Sequence, residues 1–368
     1  MIGDTDGPSG DSPTAKDAGG SSLAMGGAGS ALAVNRGRPG VAGDGLIGWV
    51  EGRSEGPLLL CIGGVHGNEP AGVRGLEEMV GKVEAKRDAL AGDFVAVVGN
   101  MPAVAAGRRF MTYDLNRAWT PLHVGALQAG HRTESDDAVV HSITHRRARA
   151  PVPEDLEVVR VLELLEEVAA RRRGPVYVLD LHTTSGKGGT FTSTEDHPRY
   201  RRFAMEVPFP LVLGLDDHLE GTLLGYLGAL GYTTMLCECG QHQEPRASLR
   251  AVAAIWIAIR AAGLLGEEDV PEARRAFEML RNTCAHLPPV LETVYRHPFD
   301  ERDRYVTRPG FRNFQRIEAG DVIGDDRNGE GAAPQGGRLL MPLYQRLGED
   351  GFFVVREVEG PRGEGRAG

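Results

Sequence analysis

Two histidines and a glutamate stand where the sequence predicts the ends of two buried strands. His66 and Glu69 lie three residues apart in GGVHGNEP, and His182 lies in DLHTTSG. Neutral imidazole and carboxylate groups suit zinc, and a catalytic zinc has three protein ligands and an open position for water. We therefore predict one Zn²⁺ per chain, held by His66, Glu69 and His182, with Asp180 orienting the His182 imidazole. The alternative is that each is a structural residue without a metal.

A further carboxylate ends a third predicted strand, in the segment CECGQH. Alternation along the strand sends Glu238 to one face and Cys237 and Cys239 to the other. A carboxylate beside a metal-activated water acts as general base and later returns the proton to the leaving amine. Glu238 is predicted to be this base; the alternative is a capped strand-end carboxylate. The cysteines with His242 allow a second metal site, although small buried hydrophobes fit them better.

Two arginines and an asparagine lie in the motif RFMTYDLNR, which is followed by a long polar stretch. The Arg117 guanidinium can stabilise the oxyanion that forms when water attacks a carbonyl, and Asn116 can orient the substrate. Arg109 can pair with a substrate carboxylate. These residues are therefore predicted to surround a substrate; the alternative is a surface ion pair within the loop.

These side chains require strands that end at one edge of a sheet. LIGWVEG and PLLLCIGGVHG predict two strands joined by a turn at Gly52–Gly56, and buried strands alternate with helices after them. Such alternation predicts an α/β fold with a mostly parallel or mixed sheet and helices on both faces. The predicted later strands cover 93–100, 176–186 and 233–240, and the helices cover 69–80, 153–173, 218–232 and 248–265.

Composition divides the chain into three parts. Residues 1–43 are rich in Gly, Ser, Ala and Asp, which predicts a disordered tail. Residues 44–285 are predicted to form an α/β domain that carries the zinc-dependent hydrolytic site, with a polar loop insertion at 120–153. Residues 286–360 contain short strand-like pieces between Gly, Pro and Asp and are predicted to form a small all-β domain. The insertion histidines are predicted to be solvated: His123, His131, His141 and His145.

The overall charge excludes some classes of protein. The formal net charge is −10, so a nucleic-acid partner is not expected. The predicted hydrolytic site, and not the charge, favours a small-molecule substrate. No apolar run approaches the roughly 20 residues of a membrane helix, and the start of the chain has no secretory signal. Four cysteines in 368 residues do not make a disulfide framework, which favours a reducing, cytoplasmic location. A homo-oligomer is compatible with these features.

The combined motifs resemble the succinylglutamate desuccinylase/aspartoacylase family, a branch of the zinc carboxypeptidase-like fold. The resemblance covers roughly 44–358 and rests on GGVHGNEPAG, RFMTYDLNR, DLHTTSG and the E-C-G strand end, in order. It implies hydrolysis of the amide between an acyl group and an amino acid, and a C-terminal β-rich domain beside the site. By this resemblance the residues have three roles: zinc ligands (His66, Glu69, His182), general base (Glu238), and carbonyl polarisation and substrate binding (Arg117; Asn116 and Arg109).

The chain departs from the family's pattern in its substrate residues. Aspartoacylases carry a further Arg shortly before the catalytic Glu, whereas residues 221–237 contain no Arg or Lys. Their C-terminal pocket tyrosine has no clear counterpart around Gly348–Gly351. The resemblance therefore predicts the metal and the reaction class better than the substrate. Two alternatives stay open: a zinc carboxypeptidase acting on peptides, and a non-catalytic zinc-binding protein on the same fold.

Overall fold

The computed structural model describes residues 45–129, 152–345 and 347–358. Within these ranges no helix combines the length and the apolar character that a membrane span requires. The predicted tail at 1–43 and the central part of the predicted insertion, with His131, His141 and His145, lie outside the described residues.

Strands and helices alternate through the first two thirds of the described chain. The strands are β1 (Leu46–Glu51), β2 (Ser54–Gly63), β3 (Ala91–Val98), β4 (Val176–Thr184), β5 (Thr190–Ser193), β6 (Leu211–Leu213), β7 (Thr233–Gln241), β8 (Val290–Pro298), β9 (Val306–Thr307), β10 (Arg316–Ile317), β11 (Val322–Asp326), β12 (Gly329–Ala332), β13 (Gly337–Leu340) and β14 (Asp350–Glu357). The helices are α1 (Pro70–Glu84), α2 (Met101–Ala106), α3 (Pro121–Gln128), α4 (Pro153–Arg171), α5 (Pro198–Ala204), α6 (Leu223–Ala229), α7 (Arg246–Ala262) and α8 (Pro271–Cys284).

One large mixed sheet organises the fold. Its 11 strands run in the order β1-β3-β2-β4-β7-β5-β6-β8-β14-β13-β10. β3, β2, β4 and β7 are mutually parallel, so their carboxyl ends meet at the same edge. The predicted α/β fold with a mixed sheet is confirmed. At this edge lie the predicted site residues of three strands: His66 and Glu69 after β2, His182 in β4 and Glu238 in β7.

Helices cover both faces of the sheet because side chains alternate along its strands. On β2, Leu59 and Cys61 join one apolar cluster with α1 and α7. The intervening residues Leu58 and Leu60 join a second cluster with α4 and α6 on the opposite face. Strands that are buried on both sides read as nearly continuous apolar runs, as PLLLCIG does. This double burial fixes the strand register and therefore the positions of the residues at the strand ends.

The C-terminal β-rich region is attached to the same sheet. β8 pairs in parallel with β6, and β14, β13 and β10 then extend the sheet with antiparallel pairings. The strands β12, β11 and β9 form a separate three-stranded sheet. The C-terminal region is rich in strands, as predicted, and the division into domains at 285/286 stays a prediction.

One predicted helix is shorter than expected, and the reason is local. The pattern at 218–232 predicted a continuous helix, but α6 begins only after Thr222, whose side chain accepts a hydrogen bond from Gly225 N. Gly221 has φ +67°, and a Cβ there would lie 2.3 Å from the carbonyl oxygen of Arg117. The chain must therefore pass close to the Arg117 backbone at this point, which delays the start of the helix.

Candidate active site

The loop after β2 presents His66 and Glu69 because its glycines allow a tight path. Gly64 has φ +72°, a left-handed conformation that glycine adopts without strain. A Cβ on Gly67 would lie 2.0 Å from the carbonyl carbon of Ala103, so only glycine fits against α2. The loop then enters α1 at Pro70, and both functional side chains are buried. The spacing of the GGVHGNEP motif is thus required by the backbone path.

Three predicted ligands converge in this buried space. His66 Nδ1 lies 2.8 Å from Glu69 Oε1, and His182 Nδ1 lies 3.2 Å from Glu69 Oε2. One ligand atom from each residue lies within 4.8 Å of the others. The peptide N–H of Thr183 also donates to Glu69 Oε2, at 2.8 Å. Two imidazoles and a carboxylate at this spacing form a set that can bind a metal ion.

Each imidazole meets a second buried carboxylate through its other nitrogen. His66 Nε2 lies 3.0 Å from Asp114 Oδ1, and His182 Nε2 lies 3.0 Å from Asp180 Oδ2. The hydrogen bond between His66 Nε2 and Asp114 keeps the proton on that nitrogen and leaves Nδ1 as the lone-pair donor. At His182 the Asp180 carboxylate is close enough for its charge to favour a proton on Nε2, but the two groups are not aligned as a hydrogen bond. Both Nδ1 atoms face the centre of the cluster, so the outer carboxylates orient the set for a cation. This outer pairing is an observation independent of the motif spacing.

The acidic residues of the cluster stay ionised despite their burial. Burial alone would raise the pKa of Glu69, but the His66 and His182 imidazoles hold this pKa well below its ordinary range. Burial likewise opposes ionisation of Asp114, but the Arg109 guanidinium and His66 hold the Asp114 pKa well below its ordinary range. The cluster therefore offers a charged carboxylate to a cation at neutral pH.

Glu238 faces the same space from the neighbouring strand. The register of β4 and β7 places it opposite His182, while Cys237 and Cys239 pack in the apolar cluster on the other face of the sheet. Within the described part of the chain, its buried Oε2 atom has no hydrogen-bond partner. Burial, followed by the negative charge of Glu69, raises the pKa of Glu238 to about 8. A buried carboxyl group with an unused oxygen and a pKa near neutrality is suited to proton transfer.

The two arginines take different positions. Arg109 donates to Asp114 Oδ2 from Nε at 3.1 Å and from Nη2 at 2.7 Å, and its Nη1 lies 3.8 Å from Glu69 Oε1. Arg117 donates from Nη2 to Asp350 Oδ2 at 3.0 Å. Arg109 therefore lies next to the Glu69 carboxylate, whereas Arg117 donates to Asp350 at the start of the C-terminal strand β14.

Asn116 links the site to the start of α6. It lies in the short 3₁₀ turn Leu115–Arg117, and its Oδ1 accepts a hydrogen bond from Leu223 N at 2.9 Å. The side-chain oxygen thus satisfies a peptide N–H at the helix start. Its amide nitrogen is the part of the side chain left for a ligand in the pocket.

One pocket is lined by all seven predicted site residues: His66, Glu69, Arg109, Asn116, Arg117, His182 and Glu238. It also contains residues that the sequence did not indicate for this site, among them Thr183, His242, Phe353 and Asp350. His242 follows β7, and its Nδ1 lies 2.8 Å from Thr183 Oγ1, so it belongs to this pocket. Because His242 directly follows a strand that ends at the site, the sequence could have indicated that it belongs to this pocket.

The insertion histidine that the structure describes lies elsewhere. His123 is in α3, where its Nε2 lies 3.2 Å from the Tyr113 hydroxyl and 3.5 Å from Asp155 Oδ1. It does not belong to the cluster of possible metal ligands found among the described residues. His123 is therefore partly packed against its neighbours, not solvated as the sequence predicted.

Part of the sequence is similar to known proteins. Residues 55–212 match the family model of the succinylglutamate desuccinylase/aspartoacylase catalytic domain. A succinylglutamate desuccinylase of Yersinia pseudotuberculosis is 32% identical over 108 residues, which are 29% of this chain and 31% of that protein. The alignment thus spans about a third of the relative's length.

Solved structures resemble the fold over most of the chain. A succinylglutamate desuccinylase/aspartoacylase from Rhodobacter sphaeroides has a TM-score of 0.56 at 12% identity, covering 84% of this chain and 88% of that one. Murine aminoacylase 3 has a TM-score of 0.51 at 16% identity, covering 83% and 97%. The family model, the relative and the shared fold agree with each other. Residues 55–212 of this chain are therefore similar to the succinylglutamate desuccinylase/aspartoacylase catalytic domain, and the described chain shares the fold of solved members of that family.

Proposed function

We propose that this protein is a zinc-dependent hydrolase that cleaves the amide bond of an N-acyl amino acid or a related small amide. The observation that carries the proposal is the convergence of His66, Glu69 and His182 beside the buried carboxyl group of Glu238. A structural metal site needs ligands only. A proton-transfer group with an unused buried oxygen at the same pocket favours catalysis over simple metal binding.

The donor set fits zinc by its chemistry. Nδ1 of His66, Nδ1 of His182 and a Glu69 carboxylate oxygen would hold the ion, and Asp114 and Asp180 would orient the imidazoles. Three nitrogen and oxygen ligands are typical of a catalytic zinc with an open position. A bound zinc would supply acidification of water and polarisation of the substrate carbonyl.

Glu238 would perform the proton transfers. Its carboxylate would take one proton from the attacking water as the new carbon–oxygen bond forms. It would return that proton to the amide nitrogen as the carbon–nitrogen bond breaks, which releases a carboxylate and an amine. The pKa of about 8 describes the chain alone, and a nearby cation would favour the ionised base.

The distances support a division of roles that differs from the sequence-based expectation. Arg109 Nη1 lies 3.8 Å from Glu69 Oε1, so we assign stabilisation of the developing oxyanion to Arg109. Arg117 is farther along the pocket, in contact with Asp350. We propose that Arg117 and the Asn116 amide nitrogen contact the part of the substrate remote from the scissile bond.

The proposal extends to the location, domains and partners of the enzyme. All four cysteines are buried and unpaired, as expected for a reducing cytoplasm. Residues 44–285 would carry the catalytic domain, and residues 286–360 would contribute the pocket wall that includes Asp350. A small molecule is the expected substrate, and a homo-oligomer is compatible with this proposal.

Amine release from N-acyl amino acids tests the function. The zinc-loaded protein, the protein treated with a zinc chelator, and Glu238→Gln should be compared at pH 7.5. We expect release only from the untreated zinc-loaded protein, and its recovery when zinc is added back after chelation. Glu278→Gln, which removes an exposed partner of Arg281, is the matched control and should keep full activity.

Two outcomes would contradict the proposal. Equal release by Glu238→Gln and the unaltered protein would remove Glu238 from catalysis. A protein that binds one zinc per chain but cleaves none of the N-acyl amino acids would support one of the alternatives. Release of C-terminal residues from peptides would then identify a carboxypeptidase, and inactivity there too would leave a non-catalytic zinc protein.

A further inference from the structure

Both guanidinium groups that line the pocket already have carboxylate partners within the described chain. Arg109 is held by Asp114 through two hydrogen bonds. Arg117 is held by Asp350 at 3.0 Å, and its Nε lies 3.8 Å from Glu349 Oε2. A substrate carboxylate that bound Arg117 would lie beside Asp350, whose negative charge already compensates the guanidinium and repels a second carboxylate. Each of the two pocket arginines therefore has its positive charge balanced by a carboxylate of the protein. A substrate with a carboxylate besides that of its amino-acid part would find no unpaired arginine here.

Asp350 is fixed in this position from its other side. Arg296 Nε lies 2.5 Å from Asp350 Oδ1, so the carboxylate bridges Arg296 and Arg117 with one oxygen each. Arg296 lies on β8 and Asp350 begins β14, and these two strands are paired in the large sheet. The Asp350 side chain is only 16% exposed. Displacing it would leave a poorly solvated carboxylate, which costs free energy.

The wall beside Arg117 is apolar. Leu215 and Phe353 are buried in one cluster, and Leu219, Leu236 and Met341 pack against it. All five line the pocket. An apolar group placed against this wall gains about 25 cal/mol per Å² of apolar surface removed from water. A carboxylate in the same place would lose hydration without gaining a free cation.

We infer that the substrate places an uncharged apolar group against this wall, and that Asp350 makes the pocket discriminate against a carboxylate there. This inference rests on the proposed function and narrows its substrate class to N-acyl amino acids or amides that lack a second carboxylate. Asp350 acts through Arg117, so it is a specificity-determining residue and takes no part in the bond changes.

Isosteric substrate pairs test the inference because they differ only in charge. N-acetyl-leucine and N-acetyl-aspartate exchange an isopropyl group for a carboxylate in the amine part. N-(4-methylpentanoyl)glycine and N-succinylglycine make the same exchange in the acyl part. We expect kcat/KM at least tenfold higher for the apolar member in at least one pair. The zinc-loaded Glu238→Gln variant should show the same preference in Kd by titration calorimetry, without turnover.

Asp350→Asn tests the residue itself. Removal of its charge leaves Arg117 available, so the ratio of apolar to carboxylate kcat/KM should fall at least tenfold. Asp196→Asn is the matched control, because it also breaks an arginine pair, with Arg201, but on the exposed surface outside the pocket. In Asp196→Asn the ratio of apolar to carboxylate kcat/KM should equal that of the unaltered protein. If Asp350→Asn does not fold, Asp350→Ser, which also removes the charge, takes its place as the test of the residue, and the ratios of the unaltered protein decide the substrate preference.

The outcomes separate this inference from the proposed function. A preference for the carboxylate member in both pairs would overturn the inference while leaving the hydrolase intact. An apolar preference that Asp350→Asn leaves unchanged would overturn the role of Asp350. Absence of cleavage with all four compounds would count against the function, and the Kd ratio in Glu238→Gln would still decide the inference.

Discussion

At the scale of single residues, the outer carboxylates explain why the imidazoles can act as ligands. His66 and His182 each have one nitrogen near a buried carboxylate and the other directed at Glu69. Asp114 also accepts two hydrogen bonds from Arg109, so a substitution there would change more than the imidazole. Asp180 contacts His182 from the same strand and has no such additional arginine in the described contacts. A substitution of Asp180 therefore tests the effect of the carboxylate on the His182 imidazole without also disturbing an arginine.

We predict that Asp180→Asn weakens zinc binding by about 10- to 100-fold, because the amide orients the His182 imidazole less strongly than a carboxylate. Competition with a fluorescent zinc chelator measures the affinity. Asp196→Asn should bind zinc like the unaltered protein, since Asp196 pairs with Arg201 away from the pocket. An unchanged affinity in Asp180→Asn would show that the contact does not orient the ligand.

At the scale of elements, α4 supports the segment that carries the pocket arginines. Glu154, in the first turn of α4, is completely buried. Its Oε1 accepts a hydrogen bond from Met111 N at 2.6 Å, and its Oε2 accepts one from Thr112 N at 3.1 Å. These two peptide groups lie between Arg109 and Asn116. The helix therefore fixes the backbone of the substrate-facing segment through one side chain.

Glu154→Ala should lower the free energy of unfolding by about 2–3 kcal/mol, because it leaves two peptide N–H groups without their charged acceptor. Urea denaturation followed by circular dichroism measures this loss. Glu163→Ala on the exposed side of α4 is the control and should change stability by less than about 0.5 kcal/mol. Equal stability of the two variants would contradict the supporting role of Glu154.

At the scale of the whole molecule, the acidic balance of the chain has a local consequence for stability. The formal net charge is −10, and two further acids, Glu195 and Asp217, lie close enough to Asp216 to act on its ionisation. Burial, then the negative charges of Glu195 and Asp217, raise the pKa of Asp216 from 3.8 to about 6. A carboxyl group with a raised pKa in the folded state favours folding most when it is protonated. Its ionisation therefore destabilises the protein as the pH rises from about 4 to above 6.

Asp216→Asn should remove this penalty. The pKa shift corresponds to at most about 3 kcal/mol, so the variant should be more stable than the unaltered protein at pH 8 by up to that amount. The difference should disappear near pH 4. Urea denaturation across this pH range measures it, with Asp88→Asn, an exposed partner of Arg53, as the control. A difference that is constant with pH would contradict the assignment to Asp216.

Much of the site could be predicted from the sequence because its information is local. Strand periodicity, the glycines around His66 and the alternation at Cys237, Glu238 and Cys239 depend on neighbouring residues. These features identified residues that line one pocket, and they predicted the α/β fold that positions them. The sequence by itself therefore determined the donor types and the strand ends that bring them together.

The tertiary structure decided which groups those residues meet. Asp350 contacts Arg117 across 233 residues of chain, and Asp114 contacts His66 across 48. Such contacts depend on the order of strands in the sheet, which no local pattern specifies. Because β14 joins the sheet beside β8, it brings a carboxylate to an arginine that the sequence offered to a substrate. The charge that the pocket presents is thus a property of the fold.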